Sequence, residues 1–118
     1  MRVLLIDDDP INNIVNQKLL KKFNPHLEIT EFLNAKEALR FLEDSSTVPE
    51  VILLDINMPE MNGWEFLGAY QALRLNCRLY LLTSSIAQED MKRAKSFPEV
   101  VDFLVKPLDQ HKIKRIFT

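Results

Sequence analysis

Five polar side chains at the ends of apolar runs could do chemistry together in this sequence. They are the carboxylates of Asp7, Asp8 and Asp55, the hydroxyl of Thr83 and the ammonium of Lys106. A carboxylate that emerges from a buried strand is costly unless a partner binds it. These positions therefore predict a ligand site built mainly from acidic groups.

The acidic residues indicate a hard cation. Two carboxylates about 4 Å apart repel by roughly 4 kcal/mol at an effective dielectric constant of about 20. A proton or a divalent cation relieves such repulsion. The ligand atoms are all oxygens, which favours Mg²⁺, and no histidine or cysteine falls near these positions, which argues against zinc. We therefore expect Mg²⁺ to bind to Asp7, Asp8 and Asp55.

The same residues suit phosphoryl transfer. This reaction needs positioning and charge neutralisation and little covalent chemistry from the protein. A carboxylate nucleophile that forms an aspartyl phosphate is established chemistry. We expect Asp55 to accept the phosphoryl group, Lys106 to bind a phosphoryl oxygen and Thr83 to donate a hydrogen bond.

The apolar runs before these residues predict the strands of one parallel sheet. Strand and helix patterns alternate five times, which is typical of a parallel sheet with helices on both faces. The carboxyl ends of parallel strands share one edge, where ligands bind. The second strand alternates imperfectly, and we expect it near an edge of the sheet. The predicted strands cover residues 3–6, 27–32, 51–54, 79–82 and 100–105, the last interrupted by Asp102.

Capping residues and apolar spacing predict how the helices begin and pack. Ser85 and Gln88 have capping-box spacing for the fourth helix. Side chains that suit an N-cap begin the other four helices, at Asp9, Asn34, Asn62 and Asp109. The first helix carries one apolar stripe, which we expect to be buried. Its members are Ile11, Ile14, Val15, Leu19 and Phe23.

Composition limits the class of protein. The 118 residues suit one domain, and 47% hydrophobic with 27% charged residues is typical of a soluble globular chain. A net charge of −2 argues against nucleic acid as the main partner. A single cysteine, Cys77, allows no internal disulfide and fits a reducing cytoplasm. No apolar run approaches the roughly 18 residues that a membrane span needs.

Four motifs give the chain its resemblance to a known family. They read LLIDDDP, LLDINMPEMNG, LLTSS and FLVKP, in that order. With these motifs the chain resembles the receiver domains of two-component response regulators over essentially all of residues 1–118. The resemblance implies a flavodoxin-like three-layer sandwich of five strands and five helices, with the parallel sheet in the order 2-1-3-4-5.

The resemblance also implies a role for each matching residue at the acidic site. Asp55 matches the phospho-accepting aspartate. Asp8 matches a direct Mg²⁺ ligand, and Asp7 a ligand that acts through water. Asn57 matches the position whose backbone carbonyl is a further ligand. Lys106 matches the lysine that binds the phosphoryl group, and its bond to the following proline resembles the family's cis peptide.

Two further positions match the family's conformational switch. Thr83 matches the hydroxyl that moves toward the phosphoryl group, and Phe103 the aromatic that then turns inward. The surface formed by the fourth helix, fifth strand and fifth helix would change shape. Phe103 lacks the hydroxyl of the commoner tyrosine, so its inward state would depend on packing alone. Asn57 and Ser85 occupy positions that tune the lifetime of the phosphorylated state.

The resemblance further implies partners and a signalling role. The phosphoryl donor would be a phosphohistidine on a sensor histidine kinase or on a histidine phosphotransfer protein. The domain would catalyse its own phosphorylation and dephosphorylation and would not be an enzyme. We expect a cytoplasmic protein that is a monomer when unphosphorylated. It would be a stand-alone regulator or the receiver part of a longer protein.

Three other interpretations stay open. In a haloacid dehalogenase-type phosphohydrolase, Asp7 would be the nucleophile and Asp9 the acid and base, but Asp55 would have no role. A receiver fold could also act as a binding module without phosphorylation. An FMN-binding flavodoxin is disfavoured, because three carboxylates in its first loop would repel a phosphate.

Overall fold

The computed structural model describes residues 1–44, 46 and 48–118, and in these residues five strands alternate with five helices. The strands are β1 (Arg2–Ile6), β2 (Glu28–Phe32), β3 (Val51–Leu54), β4 (Arg78–Thr83) and β5 (Val100–Val105). The helices are α1 (Pro10–Phe23), α2 (Ala35–Glu43), α3 (Gly63–Leu73), α4 (Gln88–Ala94) and α5 (Gln110–Phe117). The loop that the sequence predicts before β3 includes Ser45 and Thr47, which lie outside the described residues. None of the described helices is long and apolar enough to cross a membrane.

All five strands belong to one parallel sheet in the order β2-β1-β3-β4-β5. This confirms the predicted fold class and the edge position of β2. The central strand β3 is buried at every residue, as its uninterrupted apolar sequence predicts for a strand covered on both faces. Strand β5 is continuous through Asp102, and the irregularity in its pairing falls at Val101, which has no partner in β4.

The alternation of side chains along the strands divides the core between the two faces of the sheet. One face packs against α2 and α3, and the other packs against α1 and α5. The first core includes Leu4, Ile52, Leu54, Phe66 and Tyr70. The second includes Leu5, Leu53, Leu20, Ile113 and Ile116. The chain is therefore a three-layer sandwich in which the sheet edge is fixed by packing on both sides.

Four of the predicted N-caps are confirmed. In each of them a side-chain oxygen accepts a hydrogen bond from a backbone N–H of the first turn, which stabilises the helix start. The capping residues are Asp9, Asn34, Asn62 and Asp109. At α3 the cap is reciprocal, because Glu65 accepts a hydrogen bond from the backbone N–H of Asn62.

The predicted capping box at α4 is wrong. The helix begins at Gln88, and its N-cap is Ala87, which offers no side-chain cap. Ser85 lies two residues before this cap, and its hydroxyl oxygen accepts a hydrogen bond from Ala87 N at 3.3 Å, outside the first turn of the helix. The same hydroxyl donates to the Asp90 carboxylate. The spacing of Ser85 and Gln88 fits a capping box, but α4 begins later than that spacing requires.

The predicted buried face of α1 is also wrong. Ile11 is 69% exposed, and three more members of the predicted stripe, Ile14, Val15 and Phe23, are exposed as well. The face that packs on the sheet instead carries Asn13, Asn16 and Leu20. These three positions have the same helical spacing as the apolar stripe. The burial of Asn13 is possible because its amide donates to the backbone oxygen of Asp7, so the polar group is hydrogen-bonded.

Tyr70 in α3 provides a test of the packing between this helix and the sheet. Its hydroxyl accepts a hydrogen bond from the buried backbone N–H of Cys77 at 3.2 Å. We expect Tyr70→Phe to lower the free energy of unfolding by about 1–3 kcal/mol, because that N–H then has no acceptor. Urea unfolding followed by the fluorescence of the single tryptophan, Trp64, measures this change.

The effect of Tyr70→Phe should depend on pH. Burial, and then the interaction of the hydroxyl with the Cys77 side chain, raises the pKa of Tyr70 in the folded protein, although the backbone N–H of Cys77 lowers it. The contribution of Tyr70 is therefore complete below the ordinary tyrosine pKa of about 10 and is lost as the pH rises through the folded-state pKa. The stability difference between the wild type and Tyr70→Phe should narrow above about pH 10. A difference that stays constant would contradict this assignment.

Candidate functional site

Four strands carry the side chains of the candidate site to one edge of the sheet. Asp7 follows β1, Asp55 follows β3, Thr83 ends β4 and Lys106 follows β5. The strand ladder continues one step past the strand ends, because Asp55 N donates to Ile6 O at 2.9 Å and Lys106 N donates to Thr83 O at 2.8 Å. These side chains therefore project from hydrogen-bonded backbone and not from free loops.

The structure brings together the three predicted carboxylates and the predicted lysine. One oxygen from each of Asp7, Asp8 and Asp55 lies within 4.8 Å of the others. Lys106 Nζ donates to Asp7 Oδ2 at 2.7 Å and to Asp55 Oδ2 at 3.1 Å. Asp7 and Asp55 are only 5% and 6% exposed, whereas Asp8 is exposed. The cation thus lies between two buried anions, and the third carboxylate faces solvent.

The charges at this edge shift the pKa of two groups. Burial, and then the charges of Asp7 and Asp55, raises the pKa of the Asp8 carboxyl. Burial alone would lower the pKa of the Lys106 ammonium, but the hydrogen bond from Lys106 to Asp7 and the charges of both carboxylates outweigh it, so that pKa is raised. Lys106 therefore stays charged, and the acidic group retains an excess of negative charge for a cation to neutralise.

The donor set fits a magnesium ion. Three carboxylate oxygens converge at the edge of the sheet, and hard divalent cations prefer oxygen ligands. Mg²⁺ usually binds through one or two carboxylates and keeps several waters, which the exposed position of Asp8 allows. His26 lies between α1 and β2, and His111 lies in α5. Both are exposed and away from these strand ends, so neither adds a nitrogen ligand to the set of oxygens.

Thr83 and Asn57 lie beside the acidic group. Thr83 is 0% exposed, and its Oγ1 accepts a hydrogen bond from Ser85 N at 3.2 Å. The Asn57 side chain is exposed, and its backbone N–H donates to Asp55 Oδ1 at 3.2 Å. The second oxygen of Asp55 faces Lys106, so the two oxygens of this carboxylate have different partners.

Phe103 lies further from the acidic group, on β5. It is half-buried and lines a cleft of about 320 Å³ between α4 and β5. Met91, Ala94 and Val100 line the cleft together with Lys95 and Asp102. The peptide bond between Lys106 and Pro107 is cis, as the resemblance implies.

Asn13, a residue that supports the site, was not identified from the sequence. Asn13 of α1 donates from Nδ2 to the backbone oxygen of Asp7 at 3.1 Å and is fully buried behind the acidic group. Pattern reading treats asparagine in a helix as a surface residue. A usable signal was present, because Asn13, Asn16 and Leu20 share one helical face directly after the acidic run.

Comparison with known proteins agrees with this geometry. The sequence model described as "Response regulator receiver domain" matches residues 3–118. A two-component response regulator of Arabidopsis thaliana is 31% identical over 118 residues, which cover 99% of this chain and 22% of that protein. A protein-glutamate methylesterase/protein-glutamine glutaminase of Treponema denticola is 36% identical over 110 residues, which cover 91% of this chain and 28% of that protein.

A solved structure extends the similarity to three dimensions. The crystal structure of a two-component response regulator from Cytophaga hutchinsonii superposes with a TM-score of 0.89 at 29% identity, covering 98% of this chain and 92% of that one. The chain spans 22% and 28% of the two curated relatives described above, so in those proteins the matching region is part of a longer chain. With a family match across nearly all its residues and the same fold, the chain belongs to the response regulator receiver domain family.

Proposed function

We propose that this receiver domain accepts a phosphoryl group on Asp55 from a phosphohistidine and thereby switches a signalling surface. The observation that carries this proposal is the contact of Lys106 Nζ with both Asp7 and Asp55 beside the exposed Asp8. That arrangement combines a nucleophile, a fixed cation and a set of metal ligands at one point. The domain would act on its own side chain and not as an enzyme on a separate substrate.

The transfer follows from the positions of the side chains. A carboxylate oxygen of Asp55 attacks phosphorus in line with the P–N bond, which breaks and leaves the imidazole of the donor. Lys106 exchanges part of its contact with the two carboxylates for a phosphoryl oxygen, so it neutralises charge as the bond forms. Bound through Asp7, Asp8, Asp55 and the backbone carbonyl of Asn57, Mg²⁺ would supply further neutralisation of the phosphoryl oxygens.

Phosphorylation would then move Thr83 and Phe103. The Thr83 hydroxyl oxygen accepts from Ser85 N, so its own hydrogen is available to a phosphoryl oxygen on the neighbouring strand end. A shift of Thr83 toward Asp55 would open space next to β5. Phe103 adjoins the cleft between α4 and β5 and would turn into that space. The surface of α4, β5 and α5 would thereby change shape, with Phe103 held by packing alone.

The exposed apolar face of α1 supports the proposal that the phosphoryl donor is a protein. Ile11, Ile14 and Val15 begin within a few residues of the acidic group and are about half or more exposed. An exposed apolar patch rimmed by charge is typical of a protein-binding surface. We propose that a helix of a sensor histidine kinase or histidine phosphotransfer protein packs here and presents its phosphohistidine to Asp55. A cytoplasmic location and a monomeric unphosphorylated state remain part of this proposal.

The other interpretations have less support. Asp9, the acid and base of a dehalogenase-type hydrolase, has one carboxylate oxygen engaged as the N-cap of α1. Asp55, which has no role in that mechanism, contacts Lys106 directly. Three carboxylates occupy the edge at which a flavodoxin would bind a phosphate. Phosphorylation of Asp55 by acetyl phosphate would distinguish the proposed function from a binding module that acts without phosphorylation.

Removal of the metal ion tests the proposed function. With acetyl phosphate and Mg²⁺, we expect a protein-bound acyl phosphate resonance in the ³¹P NMR spectrum. With EDTA in place of Mg²⁺ the resonance should be lost or strongly reduced, because the acidic group then repels the phosphoryl oxygens. An equally strong resonance in EDTA would contradict a magnesium-dependent site.

A further inference from the structure

Asn13 has a buried amide with one unpartnered end. The residue is 1% exposed, and its Nδ2 donates to the Asp7 backbone oxygen. Only the NH₂ end of the amide can donate to a carbonyl, so Oδ1 must be the other end. Among the residues that the structure describes, none donates a hydrogen bond to Asn13 Oδ1. A buried acceptor without a donor is costly, which favours a small molecule that can donate there.

A small cavity adjoins this amide. Its volume is about 10 Å³, at the lower end of what holds one water molecule. Four polar residues line it together with apolar strand residues. They are Asp7, Asn13, Asn16 and Asp55. The cavity therefore lies between α1 and the acidic group, and it has the polar lining that a buried water needs.

The carboxylates in this lining can accept another hydrogen bond. Asp55 Oδ1 accepts from Asn57 N, and Oδ2 accepts from Lys106 Nζ. An ionised carboxylate has about four lone-pair sites, so each of these oxygens can take a second donor. A water molecule has two donors, enough for Asn13 Oδ1 and one carboxylate. The amide of Asn16 offers a third partner, which matches the roughly three hydrogen bonds of a typical buried water.

We propose that one water molecule occupies this cavity and joins Asn13 to the carboxylate of Asp7 or of Asp55, which makes Asn13 a positioning residue for the acidic site. The water and the amide support the buried side of the carboxylates, opposite the exposed Asp8. Asn13 fixes the backbone of Asp7 directly and a carboxylate orientation through the water. The effect on metal binding rests on the proposed function, whereas the water site itself does not.

A crystal structure of the unphosphorylated wild-type protein tests the water directly. We expect one density peak in the cavity, about 2.7–3.2 Å from Asn13 Oδ1 and from a carboxylate oxygen of Asp7 or Asp55. A cavity without density would overturn the proposal. Several ligand oxygens at about 2.4 Å or less from the peak would also overturn it, because that distance indicates a metal ion.

Substitutions test the positioning role through Mg²⁺ affinity, measured by calorimetry. We expect Asn13→Leu, which keeps the number and branching of the side-chain heavy atoms but removes the amide, to weaken Mg²⁺ binding by about 10-fold, within the 10–100-fold range for residues that orient metal ligands. The matched control is Asn12→Leu on the half-buried neighbouring position, which should change the affinity less than about twofold. If Asn13→Leu fails to fold, Asn13→Ala provides the same comparison, because it also removes the amide.

The outcomes separate this inference from the proposed function. A loss of thermal stability in the folded Asn13 variant with unchanged Mg²⁺ affinity would reduce Asn13 to a structural residue and overturn the positioning role. A wild type that binds Mg²⁺ and has the water, but takes up no phosphoryl group, would contradict the proposed function and leave the water site supported.

Discussion

Replacement of Lys106 by methionine should lower the free energy of unfolding by about 3 kcal/mol in the presence of EDTA. Lys106 Nζ contacts Asp7 and Asp55, whose side chains are each 7% exposed. Removal of one partner from a buried ion pair costs about 3–5 kcal/mol, because the remaining charge has no compensation. Here two carboxylates remain, and they repel each other. Urea unfolding followed by Trp64 fluorescence measures the loss.

Magnesium should restore part of this stability. The cation would replace the positive charge that Lys106→Met removes, so Mg²⁺ should stabilise the variant more than it stabilises the wild type. Lys36→Met is the matched control, because Lys36 is half exposed and lies 3.9 Å from the exposed carboxylate of Glu60. An exposed pair contributes about 0–1 kcal/mol. Equal losses in the two lysine variants would contradict the account of the site.

Replacement of Gly63 by alanine should lower both the stability of the protein and its rate of phosphorylation. A Cβ at this position would lie 2.6 Å from the Cα of Ile56 and 2.8 Å from the backbone oxygen of Asp55. Both are backbone atoms, and Gly63 N also donates to Ile56 O at 3.0 Å, so the segment next to Asp55 must shift. We expect a loss of about 1–3 kcal/mol in unfolding free energy and slower phosphorylation by acetyl phosphate.

Gly68 in the same helix provides the control. A Cβ there meets no atom within 4 Å. Gly68→Ala should therefore stabilise the protein by up to about 1 kcal/mol, because alanine is the better helix former. It should leave the rate of phosphorylation unchanged. If Gly63→Ala behaves like Gly68→Ala, then the close approach of α3 to the Asp55 segment has no functional consequence.

The fold was predictable because its signals are local and repeated. Each central strand has an uninterrupted apolar run, and each of four helices begins with a side chain that can cap it. Parallel pairing then requires the carboxyl ends to share an edge, which brings Asp7, Asp55 and Lys106 together. The ion contacts of Lys106 depend on strand order, which only the resemblance to a family supplied.

The errors have one physical cause in common. Sequence patterns count side-chain types, whereas burial and capping depend on hydrogen bonds between distant atoms. Asn13 can be buried because Asp7 provides a backbone acceptor, and in this orientation of the helix Ile11 is exposed. Ser85 has the spacing to cap α4, but its hydroxyl oxygen accepts from Ala87 N, before the helix, and its hydroxyl donates to Asp90. In both cases a polar side chain has a partner that helical spacing does not reveal.

The intact mass of the protein after incubation with acetyl phosphate and Mg²⁺ tests the central claim most directly. The measurement includes the wild type, Asp55→Asn and Asp9→Asn, the last being an acidic control outside the metal site. We predict a gain of one phosphoryl group in the wild type and in Asp9→Asn, and no gain in Asp55→Asn. A phosphoryl group on Asp55→Asn would contradict the assignment of Asp55 as the acceptor. No gain in any of the three proteins, with Mg²⁺ binding intact, would favour a binding module that works without phosphorylation.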